Sequence, residues 1–386
     1  MTVYVEDVPI DKVSLCLDCA KHPELKDLVA SDLGEGICGA CGSTGPTFNP
    51  SRFEAVRNLI RALIRLNFDE QDYNSHWGGT SIDDILLGTE NPIIRTAKPE
   101  GLPDEFIYRV VEEGGVYPAY DQGICLFAGT DNEGVRLLQF SIPQTACREL
   151  KDIEQRLARE NFHAVEAAME KLVDSIASDI ESNIAEGTLW YRGRIGFSRT
   201  ETHVDFDRVT RIVTPYKGAD ISALAPQRAS AGRMNRAGVS VLYVASEIET
   251  ALAEIRPHPG HTISVAGFRP TRSFRVARFD VPIGNFCNSD KRLDEYALIH
   301  HVDSLLSLPV VPEERHLYAT TQLLADVLIR RGFDAISYRS SVGTGKNLCV
   351  FEPSLFTFDE TAATVRFVDK LDYQFSSVAT SRPNPF

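Results

Sequence analysis

The sequence lacks any apolar run near the ~18 residues that a membrane-spanning helix needs, and it lacks an excess of positive charge. Its 40 Lys and Arg stand against 54 Asp and Glu, a net charge of −14. That balance argues against a nucleic-acid coat or a binder of anionic membrane surfaces, both of which need basic faces. The opening stretch MTVYVEDVPIDK has neither the basic nor the apolar segment of a secretory signal. The expectation is therefore cytoplasmic residence with reduced thiols. No internal repeat or low-complexity tract stands out, and 386 residues leave room for two or three domains.

The positive charge that is present is unevenly placed. Residues 190–280 hold 14 Lys and Arg against 8 Asp and Glu, a local +6 in an acidic chain. Such a segment fits a small anionic ligand such as a pyrophosphate; a solvated basic face is the alternative.

Of the eight cysteines, Cys125, Cys147, Cys287 and Cys349 are scattered and read as small buried apolar side chains. The other four, Cys16, Cys19, Cys38 and Cys41, form a C-x2-C, x18, C-x2-C arrangement. Each pair makes a tight knuckle, and the spacer lets the two knuckles meet around one tetrahedral Zn(II). Gly39 and Gly42 suit a cramped backbone there. Four thiolates leave no open coordination position, so this ion is expected to hold a zinc ribbon and catalyse nothing. Redox disulfides compete as a reading, but a cytosolic setting disfavours them. Lys12, Lys21 and Lys26 are too few to favour nucleic acid on this ribbon.

Between the cysteines and residue 187 the pattern is mainly helical. Ser51 and Glu54 have capping-box spacing, and Phe53, Val56, Leu59, Ile60, Leu63 and Ile64 recur at helical intervals up to Asn67. Arg57, Arg61 and Arg65 fall on another face, expected to be solvated or paired with acids. Asn67–Gly101 reads as loops with a short helix near Asp83, and the segments around Val110, Ile124–Ala128 and Val135–Phe140 are open between strand and helix. From Glu149 to about Ala185 apolar residues recur at helical spacing without glycine or proline, predicting one long helix. The last residues, Ser376–Phe386, read as a loose tail.

The segment Ala231–Arg256, AGRMNRAGVSVLYVASEIETALAEIR, is the most distinctive. A Gly232-Arg233 turn leads into the apolar run Val239–Ala245, which reads as a buried strand. A helix is predicted next, with Ser246 as N-cap, Glu249 at capping-box spacing and Pro257 beyond its end. Glu254 lies in its last turn, where the helix dipole disfavours a carboxylate. An acid placed there, beside arginines and a tyrosine, points to chemistry.

Five ordered elements of this chain resemble the RES domain family: Tyr191-Arg192, Gly232-Arg233-Met234-Asn235, Leu242-Tyr243-Val244-Ala245, Ala251-Leu252-Ala253-Glu254 and Tyr338-Arg339-Ser340. Met234 departs from the family's usual aromatic, and Arg339 stands where proline is common. The resemblance covers roughly residues 188–358. It implies an ADP-ribosyltransferase-like enzyme acting on NAD, with Glu254, Arg192 and Ser340 catalytic. It also implies substrate contacts from Arg233, Tyr243, Tyr191, Asn235 and Asn347. Ser341 is close enough to exchange roles with Ser340.

The residue types meet the demands of that chemistry. Nicotinamide leaves as a neutral group, so no strong general acid is required, and the oxocarbenium-like transition state calls for a carboxylate near the ribose. Arginine forks suit the pyrophosphate. Thr320–Arg331 is predicted as a helix ended by Gly332, and Ala335–Tyr338 and Leu348–Phe351 as strands flanking the serine loop. Gly343-Thr-Gly345-Lys346 is not a phosphate-binding loop, because Ser340 and Asn347 stand where that motif needs glycine and Ser or Thr.

The expected fold is thus α+β and multidomain: a zinc ribbon over 1–50, a mainly helical domain over 51–187, a mixed sheet with flanking helices over 188–365 and a tail over 366–386. The zinc-ribbon and helical region resembles a HEPN/RES N-terminal domain, and Arg156 and His163 loosely match the Arg-x4-6-His pattern of HEPN ribonucleases, although Leu157 departs from it. The RES resemblance implies a toxin of a toxin–antitoxin or phage-defence system, with an antitoxin as partner. The alternative is an interaction module with HEPN-type RNA cleavage and a degenerate RES domain. The oligomeric state is not legible.

Overall fold

The computed structural model describes residues 14–50, 52–69, 93, 140–145, 148–205 and 208–372. The backbone divides into two units, Met1–Ile180 with Phe279–Leu305, and Glu181–Arg278 with Leu306–Phe386. The expectations for Ser51, Asp83, Val110, Ile124–Ala128, the stretch before Phe140, Cys125, Cys147 and the tail fall outside the described residues. Among the described residues no helix is long and apolar enough to cross a membrane.

In the first unit, strands β1 (Leu15–Cys16), β2 (Gly34–Ile37) and β3 (Thr44–Phe48) form an antiparallel sheet ordered β1-β3-β2. Helix α1 (Pro23–Val29) starts on a proline, whose missing N–H costs nothing at that position, and buries Leu25 and Val29. Helix α2 (Glu54–Asn67) buries Val56, Leu59, Ile60, Leu63 and Ile64, the stripe its periodicity predicts. It starts from Phe53, which makes no side-chain cap bond, rather than from a serine. On its other face Arg65 is buried and pairs with Asp294 at 2.5 Å, so this arginine is acid-paired.

The single long helix expected after Glu149 is two. Helix α3 (Arg148–Leu157) stops, and helix α4 (Phe162–Ile180) begins after Asn161, whose Oδ1 accepts the Ala164 N–H at 3.2 Å. An asparagine there favours a helix start over a helix interior, by offering the backbone a local alternative partner. Helix α4 buries Val165, Met169, Val173, Ile176 and Ile180 along one stripe.

The second unit is built on an eight-stranded mixed sheet. In chain order its strands are β4 (Glu181–Ile184), β5 (Trp190–Ile195), β8 (Leu242–Ala245), β9 (Thr262–Pro270), β10 (Phe274–Arg278), β11 (Ala335–Arg339), β12 (Lys346–Val350) and β13 (Phe356–Phe367). They lie in the order β13-β9-β5-β8-β12-β11-β10-β4, with β10 and β11 parallel and their neighbours antiparallel. Strands β6 (Arg199–Asp205) and β7 (Arg208–Thr214) form a separate two-stranded ribbon. Residues 181–184, expected to end the long helix, instead pair with β10, and Glu181 meets Arg275 at 2.7 Å. Tertiary pairing overrides local helical pattern there.

One face of this sheet carries the core: Trp190, Leu242, Val244, Phe268, Phe274, Val276, Leu348 and Val350 pack together with Ile221 and Phe356. Among the described residues this unit also holds helices α5 (Ile248–Glu254) and α7 (Tyr318–Arg330), the latter followed by Gly332 at φ 77°, the left-handed stop its sequence predicts, while α6 (Asp290–Ser307) lies almost wholly in the first unit.

Candidate active site

Strand alternation places the site opposite the core. In β8, Leu242 and Val244 enter the core while Tyr243 and Ala245 project to the other side. Register then aligns a row across four strands: Tyr191 pairs with Ala245, Ala245 with Asn347, and Asn347 with Tyr338. All four line one cavity of about 440 Å³, together with Arg192, Arg233, Tyr243, Glu254, Tyr318 and Ser341. That volume falls in the range of small-molecule sites. The small side chain of Ala245 leaves room in the middle of the row.

Strand β5 meets β8 at a single residue pair, Tyr191 and Ala245, and then pairs along β9. The carbonyl of Tyr243 is taken by the Arg192 guanidinium, Nη1 donating at 2.8 Å. Burial, with Arg194 nearby, lowers the Arg192 pKa. A guanidinium drawn out of water in this way interacts more strongly with an anion than a solvated one.

The Gly232–Asn235 turn is locked from several sides. A β-carbon on Gly232 would stand 2.6 Å from Asn235 Oδ1 and 2.9 Å from Tyr243 Oη, so only glycine fits. Tyr243 Oη donates to Asn235 Oδ1 at 2.9 Å and accepts the Met234 N–H at 3.0 Å. The Asn235 amide donates to the carbonyls of Ser230, Arg236 and Val239. From α7, Gln322 Nε2 bonds the carbonyls of Gly232 and Asn235, and Thr321 Oγ1 bonds that of Arg233. The Arg233 side chain donates to Leu308 O at 2.6 Å and lies over the Tyr318 ring at 5.3 Å. Asn235, expected to bind substrate, is therefore buried, absent from the cavity wall, and spent on organising the turn. The Tyr243 hydroxyl is likewise committed to that turn, while Tyr243 itself lines the cavity. Met234, in place of an aromatic, is buried.

Helix α5 brings Glu254 to the wall. It begins from Glu247 without a side-chain cap bond, because the expected cap, Ser246, accepts the Lys346 N–H through its hydroxyl at 2.9 Å. Gly193 lets α5 approach β5: a β-carbon there would stand 2.9 Å from Ala251 O. At the helix end, Ser340 Oγ and Asn347 Nδ2 both donate to Glu254 Oε1, each at 2.6 Å. Oε2 has no hydrogen-bond partner among the described residues. Ser340 Oγ also accepts the N–H groups of Val342 and Gly343. The two serines thus divide: Ser340 holds the carboxylate, and the exposed Ser341 lines the cavity.

Tyr318, Tyr338 and Arg256 bring polar groups to the cavity wall but were assigned no role in the site from sequence. Tyr318 and Tyr338 reach it from α7 and β11. Burial, with Cys349 and Glu254 beside it, pushes the Tyr338 phenol well up. Arg256 also lines the cavity, with φ at 46°, a left-handed conformation rare outside glycine. An arginine between a helix end and Pro257, where glycine is the usual stop, was the available signal.

Elsewhere, in the first unit, the ligand atoms of Cys16, Cys19, Cys38 and Cys41 all lie within 4.8 Å of one another. The Cys16 and Cys41 sulfurs are 3.8 Å apart, close to the ~3.8 Å edge of a tetrahedron with zinc–sulfur bonds of about 2.3 Å. Gly42, at φ 74°, supplies the left-handed turn at the second knuckle. Burial pushes the thiols of Cys19 and Cys38 up; at Cys41 burial also raises the thiol, but bonds from Ser43 and neighbouring cysteines outweigh it, leaving it at about 7. The donor set fits a divalent, thiophilic ion.

Arg156 and His163 are not on one helix. They lie on α3 and α4, on either side of the break, with Arg156 bonded to Glu160 and to Ala164 O and His163 exposed beside Glu166. The HEPN-type reading is not favoured.

Residues 208–375 match the family model described as RES domain. The span holds Arg233, Tyr243, Glu254, Ser340 and Asn347, and begins after Tyr191 and Arg192, which the sheet nevertheless brings to the same cavity. Among solved structures, the chain is similar to one in the crystal structure of the M. tuberculosis MbcT-MbcA toxin-antitoxin complex. The identity is 10%, the match covers 52% of this chain and 92% of that one, and the TM-score is 0.29, too low to support an inference. No curated protein matches the chain. The family that the comparisons support is thus the RES domain, matched over residues 208–375 of this chain.

Proposed function

We propose that this chain cleaves the nicotinamide–ribose bond of NAD. The observation that carries the reading is the Glu254 carboxylate, held through one oxygen by Ser340 and Asn347 at a cavity whose wall also carries Arg192 and Arg233. A carboxylate with one oxygen left over stabilises positive charge growing at the anomeric carbon and accepts a bond from a ribose hydroxyl. The guanidinium groups take the pyrophosphate, and the rings of Tyr191 and Tyr243 offer flat faces to a base. Nicotinamide departs neutral, and ADP-ribose passes to water, phosphate or a protein.

Cys16, Cys19, Cys38 and Cys41 hold one structural Zn(II) in a ribbon over residues 1–50. NAD loss makes the enzyme toxic to the cell that contains it, so a protein antitoxin that covers the cavity is its expected partner.

Incubating the purified chain with NAD, with and without phosphate, and weighing the products identifies the acceptor. Glu254→Gln keeps the side-chain volume and is expected to lower kcat about 100- to 1,000-fold, with the melting temperature held. NAD left intact by the wild type, or cleaved equally by Glu254→Gln, overturns the reading. Growth arrest on expression of wild type but not of Glu254→Gln tests the toxin role.

A further inference from the structure

Two donors converge on one oxygen of Glu254, and they are not equivalent. Ser340 sits in a loop whose own N–H groups it also accepts. Asn347 sits inside the sheet, paired with Tyr338 on one side and Ala245 on the other, and is buried. A glutamate at a helix end has three side-chain torsions and no intrinsic reason to hold one direction. The Asn347 backbone is fixed by its two strand neighbours, and its amide donates to Glu254 Oε1 across a short 2.6 Å.

We infer that Asn347 is a positioning residue for the proposed cleavage: the sheet aims the Glu254 carboxylate through the Asn347 amide, so that Oε2 faces the sugar. This differs from a direct contact between Asn347 and substrate, and it rests on the reading of Glu254 given above. Ser340 closes the same oxygen from the loop side, so the two hydroxyl and amide donors leave a single productive direction for the acid. The energetic logic is that of orientation: a displacement of about 1 Å at a reacting group costs on the order of 100-fold in rate.

The test uses Asn347→Leu and Asn347→Asp in the full chain. Asn347→Leu fills the space without a donor; it is expected to lower kcat by about 100-fold while KM for NAD moves by less than about threefold. Asn347→Asp sets a second carboxyl against Oε1, and two carboxyls at that distance share one proton. Its activity relative to wild type is therefore expected to rise as pH falls and the shared proton restores a donor, and to vanish as pH rises and both groups ionise. Wild-type kcat in Asn347→Leu, or a rise in KM at constant kcat, overturns the inference, as does an Asn347→Asp variant whose relative activity ignores pH. Ligand-free crystal structures of wild type and Asn347→Leu read the same point without turnover: the Glu254 carboxylate must leave its wild-type position in the variant. An unmoved carboxylate overturns the inference; a wild type that leaves NAD intact sinks the proposed reaction and leaves this structural comparison decisive for the clamp.

Discussion

Gly232 lies so close to Tyr243 that a β-carbon at position 232 would stand 2.9 Å from the phenol oxygen and 2.6 Å from Asn235 Oδ1. The phenol and the Asn235 amide together hold the turn from which Arg233 reaches the cavity. Gly232→Ala is therefore expected to push the turn outward, raising KM for NAD while destabilising the fold by about 1–3 kcal/mol, the usual range for overpacking. Steady-state kinetics beside a melting curve check both; a variant with wild-type KM and melting temperature would show that the turn yields without cost.

The cysteine quartet predicts one zinc per chain, measured by elemental analysis. Cys38 is buried within the cluster, so Cys38→Ser is expected to lose the metal and to lower the melting temperature of the protein. A strong chelator acts in the same direction on the wild type, since binding energy at a structural zinc is folding energy. Full zinc content in Cys38→Ser would remove this cluster from the list of metal sites.

Asp359 gives a pH prediction. The Thr361 hydroxyl, the Arg269 guanidinium and the Thr361 N–H hold its carboxyl at about 2. Arg269 Nε lies 2.7 Å away, at the irregularity where β13 shifts register against β9. The unfolded chain takes up this proton first on acidification, because its carboxyl titrates near 3.9. The stabilisation is thus whole above about pH 4 and is lost as pH falls towards 2. Asp359→Asn is expected to melt below wild type at neutral pH, with the gap closing across that acidic window. A gap that stays constant down to pH 2 contradicts the assignment.

Several site features were legible because local pattern and packing agreed. The apolar run ending at Ala245 is β8, the helix after it carries Glu254 at its end, and Gly332 stops α7. Other readings failed where a polar side chain took a partner that spacing does not reveal. Ser246 has the spacing of a cap, yet its hydroxyl serves Lys346, a hundred residues on. Asn161 splits a helix that composition alone runs through. Asn235 carries the family's motif but spends its amide on three carbonyls of its own loop.

The order of residues by itself determined the four clustered thiols, the strand–helix unit bearing Glu254 and the arginine-rich segment around it, because spacing, periodicity and charge are local properties. Only the tertiary structure decided that Tyr191, Ala245, Asn347 and Tyr338 stand in one row, that Tyr318 and Arg256 join the cavity, and that Ser340 and Asn347 share one oxygen of Glu254. Register between strands far apart in the chain sets those neighbours, and register is decided by which faces the whole sheet must bury.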